Sequence, residues 1–266
     1  MADPSVAEAF TRLVDLMARL RAPGGCPWDR EQTPASLRPY LLEEVYEVLE
    51  AIDAGDAAHL RDELGDLLLQ IVFQSQLAAE AGRFTVAEVA RAIADKLVRR
   101  HPHVFGDVEV RDAGEVMRNW RRIKAEERRT AGEDGDLFAG VPAASPALVR
   151  AEQLGEKAGH VGLDWPDAHG VLDKLREETA ELEAALAAGD RAASERELGD
   201  LLLAAASLGR HLEVSAEMAL RGANDRFVAR VRRLEAAARE RGQALADLAP
   251  AERDRLWEAV KAVKRV

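Results

Sequence analysis

Two acidic patterns in this chain have the residue types and spacing for metal chemistry. Glu43-Glu44-x-x-Glu47 is followed by Glu63-Leu64-Gly65-Asp66, and Glu177-Glu178-x-x-Glu181 by Glu197-Leu198-Gly199-Asp200. On a helix, residues three and four apart share a face, so Glu43, Glu44 and Glu47 cluster, as do Glu63 and Asp66. Carboxylates crowded together in a low dielectric cannot all stay ionised without a counter-charge. A divalent cation supplies it, and two helices in a hairpin, each offering a pair of acids, make a four-carboxylate cage. Every candidate ligand is a hard oxygen, which suits Mg²⁺, with Mn²⁺ as a substitute. Di-iron bundles pair their Glu with Glu-x-x-His. The second element here is Glu-x-x-Asp, which argues against iron and against an iron-carboxylate oxidoreductase. The competing reading is that these acids are solvated faces of ordinary helices. That reading is strong for either motif alone and weak for a constellation that appears twice.

The duplication holds register. Glu44 and Glu178, Gly55 and Gly189, and Asp66 and Asp200 are each 134 positions apart. Trp28 and Trp165 are 137 apart, as are Trp120-x-x-x-Lys124 and Trp257-x-x-x-Lys261. Similarity by chance between two Ala/Glu-rich helices would not persist through a loop, so the chain reads as a duplicated domain. The expected division is a domain at 1–129, a linker at 130–146 rich in Gly, Pro, Ala, Ser and Asp, and a domain at 147–266.

The elements that must carry these acids are helices. Aromatic residues are 5% of the chain and charged residues 32%, with abundant Ala, Leu and Glu, a mixture that favours helix over sheet. Periodicity and breakers predict helices over 6–20, 36–54, 57–81, 86–100, 113–129, 147–158, 171–188, 191–212, 216–241 and 253–263. Thr33-Pro34 reads as an N-cap and first helical residue, Cys26-Pro27-Trp28-Asp29 as a loop, and 104–110 as a short extended piece. The fold class is all-α. Leu67, Leu68, Leu69, Ile71, Val72 and Phe73 cover nearly the whole circumference of their helix, which predicts a buried helix with Glu63 and Asp66 in or beside the core. Gly65 and Gly199 gain a helix nothing, so close approach of another helix or of a ligand is expected there.

An anionic substrate would need local cations, because the formal net charge is −11. That charge disfavours nucleic-acid binding. Asp95-Lys96-x-x-x-Arg100 resembles Asp225-Arg226-x-x-x-Arg230, each with two cations one helical turn apart. For Lys96, Arg100, Arg226, Arg230, Lys124 and Lys261, spacing alone leaves phosphate neutralisation and surface charge equally open. Trp120 and Trp257 could stack on a base or pack in a core. His101-Pro102-His103 reads as a helix-terminating loop rather than a zinc site. A single cysteine, Cys26, excludes an internal disulfide and fits a reducing cytoplasm. Neither a signal-peptide core nor an apolar stretch long enough to cross a membrane is apparent.

The motifs together resemble the MazG family of the all-α nucleoside triphosphate pyrophosphatases. The resemblance rests on Cys26-Pro27-Trp28-Asp29, Leu42-Glu43-Glu44-Val45-Tyr46-Glu47, Glu63-Leu64-Gly65-Asp66, Arg99-Arg100-His101-Pro102-His103-Val104-Phe105, Asn119-Trp120-x-x-Ile123-Lys124, Gly140-Val141-Pro142, Val161-Gly162-Leu163-Asp164-Trp165, the second acidic pair and Leu256-Trp257-x-x-Val260-Lys261. It implies a tandem helical protein whose four-helix bundles are completed in a homodimer. It also implies hydrolysis of (deoxy)nucleoside triphosphates to a monophosphate and pyrophosphate, as in nucleotide-pool house-cleaning. The implied metal ligands are Glu178, Glu181, Glu197 and Asp200, with counterparts Glu44, Glu47, Glu63 and Asp66. Glu43 or Glu177 would orient or deprotonate the attacking water. Lys96, Arg100, Trp120, Lys124, Arg226, Arg230, Trp257 and Lys261 would bind the nucleotide. The family commonly has Lys where this chain has Arg226. The alternative reading is a non-catalytic, metal-stabilised helical interaction protein.

Overall fold

A computed structural model describes residues 4–130 and 136–262, and among them every regular element is helical. Residues 131–135, within the expected linker, and Val263, the expected end of the last helix, lie outside the described residues. The chain forms two compact units that divide between residues 128 and 129.

The first unit contains α1 (Pro4–Arg21), α2 (Pro27–Glu31), α3 (Arg38–Ala54), α4 (Ala57–Glu80), α5 (Val86–Arg100), α6 (Pro102–Phe105) and all but the last two residues of α7 (Ala113–Thr130). The α3–α4 hairpin is its centre. Gly55 closes α3 at φ 68°, a left-handed conformation that only Gly adopts cheaply. Asp56 then caps α4 by accepting from the backbone N–H groups of Ala58 and His59. Helices α1 and α5 pack on α4. The core between α1 and α4 is Met17, Leu37, Val72, Phe73 and Leu77, each side chain contributing about 1.5–3 kcal/mol on full burial. Arg21 clamps the hairpin's far end: its guanidinium donates to both Glu80 oxygens and to the Asp29 carbonyl.

Three local expectations are corrected in this unit. The Cys26–Asp29 segment enters a short helix, because Pro27 sits where a helix needs no N–H donor. Thr33 caps a turn rather than α3: the Ser36 N–H donates to Thr33 Oγ1 and the Thr33 N–H to Ser36 Oγ, and α3 starts at Arg38 with Pro39 in its first turn. In the segment 104–110, Val104 and Phe105 belong to α6, which Pro102 initiates directly after the α5 cap; Gly106 is extended, and no strand is formed there. A further correction concerns α4. One side packs in the core, but Leu64, Leu68 and Ile71 are exposed and Asp66 lies open to solvent. The helix is apolar all round, yet a single chain covers only part of it.

The second unit contains α8 (Ala147–His160), α9 (Ala168–Ala188), α10 (Arg191–His211), α11 (Ala216–Glu240), a 3-10 turn (Leu245–Asp247) and α12 (Pro250–Ala262). Its α9–α10 hairpin repeats the first: Gly189 ends α9 at φ 68° and Asp190 caps α10 by accepting from the Ala193 N–H. Helix α8 packs on α10 and α11. The turns of 136–145 are tied to α8 by buried Lys157, whose ammonium donates to the carbonyls of Leu137 and Ala139. The Val161–Trp165 loop is held by Asp164, which accepts from Arg210 Nη1 at 2.7 Å and Nη2 at 2.6 Å and lies 3.1 Å from His211 Nε2. The Arg210 contacts, ahead of His211, hold the Asp164 carboxyl down at about 2 against the opposing effect of burial. Gly159 makes room for this clamp, since a Cβ there would come within 2.9 Å of Asp164 Oδ2. At the end of the chain, Leu234, Ala238, Leu248, Leu256 and Val260 join α11 to α12.

Candidate functional site

Each hairpin brings acids from its two helices together. In the first unit, Glu44 and Glu47 of α3 and Glu63 of α4 have carboxylate oxygens within 4.8 Å of one another, all half-buried. Burial, then the charges of Asp66, Glu47, Glu63 and Glu43 in that order, push the Glu44 carboxyl above its ordinary value of 4.5. Asp66 thus faces the group electrostatically from the solvent edge. His59, one turn before Glu63, places Nε2 3.0 Å from Glu63 Oε1.

The second unit gathers more acids. Glu177, Glu178 and Glu181 of α9 meet within 4.8 Å, and Glu178 meets Glu197 and Asp200 of α10 within the same distance. Glu178 is the shared member. It is only 3% exposed, and its Oε2 is buried without a hydrogen-bond partner among the described residues. Leaving a charged acceptor buried and unpaired costs several kcal/mol. Its other oxygen contacts Lys174 Nζ at 2.6 Å, and the same ammonium lies 2.6 Å from Glu177 Oε1. Glu177, then Glu178, raise the Lys174 pKa by stabilising the ammonium.

These donors fit a hard divalent cation. Three carboxylates converge in the first unit, with Asp66 outside the triad, and five in the second, in two triads that share Glu178; one Glu178 oxygen is desolvated and unpartnered, and both clusters consist entirely of oxygen ligands. The glycines between the acids have open space on the side a Cβ would occupy, with nothing within 4 Å at Gly65 or Gly199. Among the described residues, no other helix comes that close to either glycine.

The cation and tryptophan candidates are placed differently in the two units. Arg100 is engaged: with Arg99 it forms an ion pair to Glu127 on α7, at 2.6 Å from each. The pair holds the Glu127 carboxyl down at about 2, Arg100 having the larger effect. Trp120 is also occupied, with the His101 ring 5.1 Å away and the Lys124 ammonium 5.6 Å from its centroid. In the second unit Trp257 meets Phe227 edge-on at 5.9 Å, and Lys261 pairs with Glu258 at 2.6 Å. Lys96, Arg226 and Arg230 make no ion pair among the described residues. Glu43 and Glu177 are both exposed beside the ligands. Lys174 and His59 escaped the sequence reading. The signal was present, since each is four residues before an acid, but that spacing is common on helices.

A family model described as the MazG nucleotide pyrophosphohydrolase domain matches residues 32–105. A nucleoside triphosphate pyrophosphohydrolase of Escherichia coli K12 is 45% identical over 253 residues, covering 94% of this chain and 96% of the relative. The chain belongs to the MazG family. A second MazG-family relative, the nucleoside triphosphate pyrophosphohydrolase/pyrophosphatase MazG of Thermotoga maritima, is 43% identical over 95% of both chains. The uncharacterized protein YabN of Bacillus subtilis is 40% identical over 96% of this chain but only 52% of its own length. The MazG domain match spans α3 to α6 and so contains the first cluster. The near-full-length relatives span both.

Proposed function

We propose that this chain hydrolyses ribo- or deoxynucleoside triphosphates between the α- and β-phosphates, releasing a nucleoside monophosphate and pyrophosphate, with the second unit as the principal catalyst. The observation that carries this reading is Glu178: a buried carboxylate with one unpartnered oxygen, shared by two acidic triads. Near-full-length relatives named nucleoside triphosphate pyrophosphohydrolases support the substrate class. Glu178, Glu181, Glu197 and Asp200 would hold Mg²⁺, which when bound neutralises phosphate charge and activates water. Glu177, exposed at the edge of the cluster, orients the attacking water and accepts its proton. Arg226 and Arg230, uncommitted to ion pairs, balance the triphosphate. Trp257 offers the base a stacking face, and Lys261 a further cation. The first unit has the same carboxylates at Glu44, Glu47, Glu63 and Asp66, with Glu43 beside them. There Lys96 is the uncommitted cation, Arg100 is tied to Glu127, and Trp120 is flanked by His101 and Lys124.

The working form in this reading is a homodimer in a reducing cytoplasm, engaged in nucleotide-pool house-cleaning. The exposed apolar faces of the two hairpins, Leu64, Leu68 and Ile71 in one and Leu198, Leu202 and Leu203 in the other, are what a second copy would cover.

The test is Mg²⁺-dependent pyrophosphate release from a panel of ribo- and deoxynucleoside triphosphates. Combined Glu178→Gln, Glu181→Gln and Asp200→Asn substitution lowers turnover by about a thousandfold or more. The equivalent changes at Glu44, Glu47 and Asp66 leave most of it. Undiminished turnover in the first variant overturns the site. Mg²⁺ binding by the unaltered protein without release from any nucleotide favours an interaction protein instead.

A further inference from the structure

The two carboxylate clusters differ in one cation. Lys174 precedes Glu178 by one turn of α9 and contacts Glu177 and Glu178 at 2.6 Å. The position 134 residues earlier, one turn before Glu44, is Tyr40. Tyr40 has no charge, and its ring packs edge-on against Trp28 at 5.8 Å. The first cluster's basic neighbour is instead His59 on Glu63, whose counterpart in the second unit is Ala193.

An ammonium and a divalent ion compete for the same carboxylate oxygens. The 2.6 Å contact occupies one oxygen of Glu178, the acid shared by both triads of the second cluster. Lys174 is one-third exposed and has a flexible four-carbon stem, so it can withdraw into solvent without disturbing α9. Building on the reading that both clusters hold a divalent ion, we propose that Lys174 is the resident counter-ion of the second cluster, a positioning residue that holds Glu178 until the ion displaces it. The second cluster consequently binds a free ion weakly and takes its ion together with the nucleotide, whereas the first, with Tyr40 in that place, holds its ion without nucleotide.

Linkage makes this measurable. A contact that stabilises the metal-free form and is lost on metal binding weakens that binding by the same factor. The probe is Mn²⁺, titrated calorimetrically and by its paramagnetic resonance signal, without nucleotide. The full-length parent carries Glu44→Gln and Glu47→Gln, so that the second cluster is read alone. Adding Lys174→Met tightens Mn²⁺ binding about tenfold and lowers the melting temperature of the metal-free protein. Lys174→Arg restores the weaker binding. In the reciprocal arm, the second cluster is neutralised by Glu178→Gln and Glu181→Gln, and Tyr40→Lys weakens Mn²⁺ binding at the first. Equal or weaker Mn²⁺ binding by Lys174→Met overturns the proposal while leaving the metal site standing, because a merely structural ion pair lowers the melting temperature without tightening metal binding. Absence of Mn²⁺ binding in both the parent and its Lys174→Met form overturns both.

Discussion

Glu44 shows what a cluster of like charges does to one residue. Its carboxyl is pushed above 4.5 by burial and by four acidic neighbours, so folding favours its protonated form. A carboxyl raised in this way costs stability while ionised, and the cost disappears as pH falls through its raised value toward the ordinary one. The cost of Glu44 to the metal-free protein is therefore relieved on mild acidification, and Glu44→Gln removes that relief. At neutral pH the same substitution raises the metal-free melting temperature by about 2 °C. It also shrinks the further rise that Mg²⁺ produces, because one ligand is gone. Thermal melts of both proteins with and without Mg²⁺, at neutral pH and nearer pH 5, check both signs. A lower metal-free melting temperature for the variant would mean that Glu44 makes net favourable contacts.

Hairpin construction explains how the acids meet. Left-handed glycines at 55 and 189 end the first helix of each pair, and Asp56 and Asp190 start the second at once. The short connection forces antiparallel packing, so one turn of acids on each helix faces the other. Gly65 and Gly199 break the usual preference against glycine within a helix, and among the described residues nothing lies within 4 Å of a Cβ at either. Gly199→Ala therefore leaves the isolated fold intact and stabilises α10 by up to about 1 kcal/mol. Pyrophosphate release should nevertheless fall at least about tenfold, as the added methyl enters space that a ligand or second subunit needs. Melting and turnover measured on the same sample separate the effects. Unchanged turnover would show that nothing comes within van der Waals reach of residue 199.

At the scale of the whole molecule, the feature left over is apolar surface. Leu64, Leu68 and Ile71 on α4, and Leu198, Leu202 and Leu203 on α10, are all more than a third exposed. Area of this kind is worth about 25 cal/mol per Å² on burial, a strong drive toward self-association. Light scattering should return twice the chain mass, and Leu68→Glu with Leu202→Glu should return the single mass. If the bundles are completed across subunits, turnover falls with the dimer. A monomer with full turnover would detach catalysis from assembly.

Much of this protein follows from sequence because its signals are local and stated twice. Helical periodicity, Gly-Asp punctuation and acids at i, i+3 and i+4 mark the helices and the acids that share a face of each, since one turn of helix fixes who shares a face; which acids meet across a hairpin is tertiary, and Asp66 stands outside the triad of Glu44, Glu47 and Glu63. The repeat at 134 positions turns a common pattern into a specific one. Family motifs reach further still, because Arg99 to Phe105 and Val161 to Trp165 are specific strings. Contacts between distant segments were decided by tertiary structure. Arg100 is claimed by Glu127 across 27 residues, and Asp164 by Arg210 across 46. The Thr33 turn and the α6 start depended on which backbone groups found partners. Burial, too, was a tertiary matter: the apolar periphery of α4 predicted enclosure, yet a helix is enclosed only by as many neighbours as its chain supplies. The contrast between Lys174 and Tyr40 gained meaning only once the ammonium was seen on Glu178, because any lysine four residues before a glutamate has the same spacing and few have a desolvated, half-satisfied carboxylate to hold.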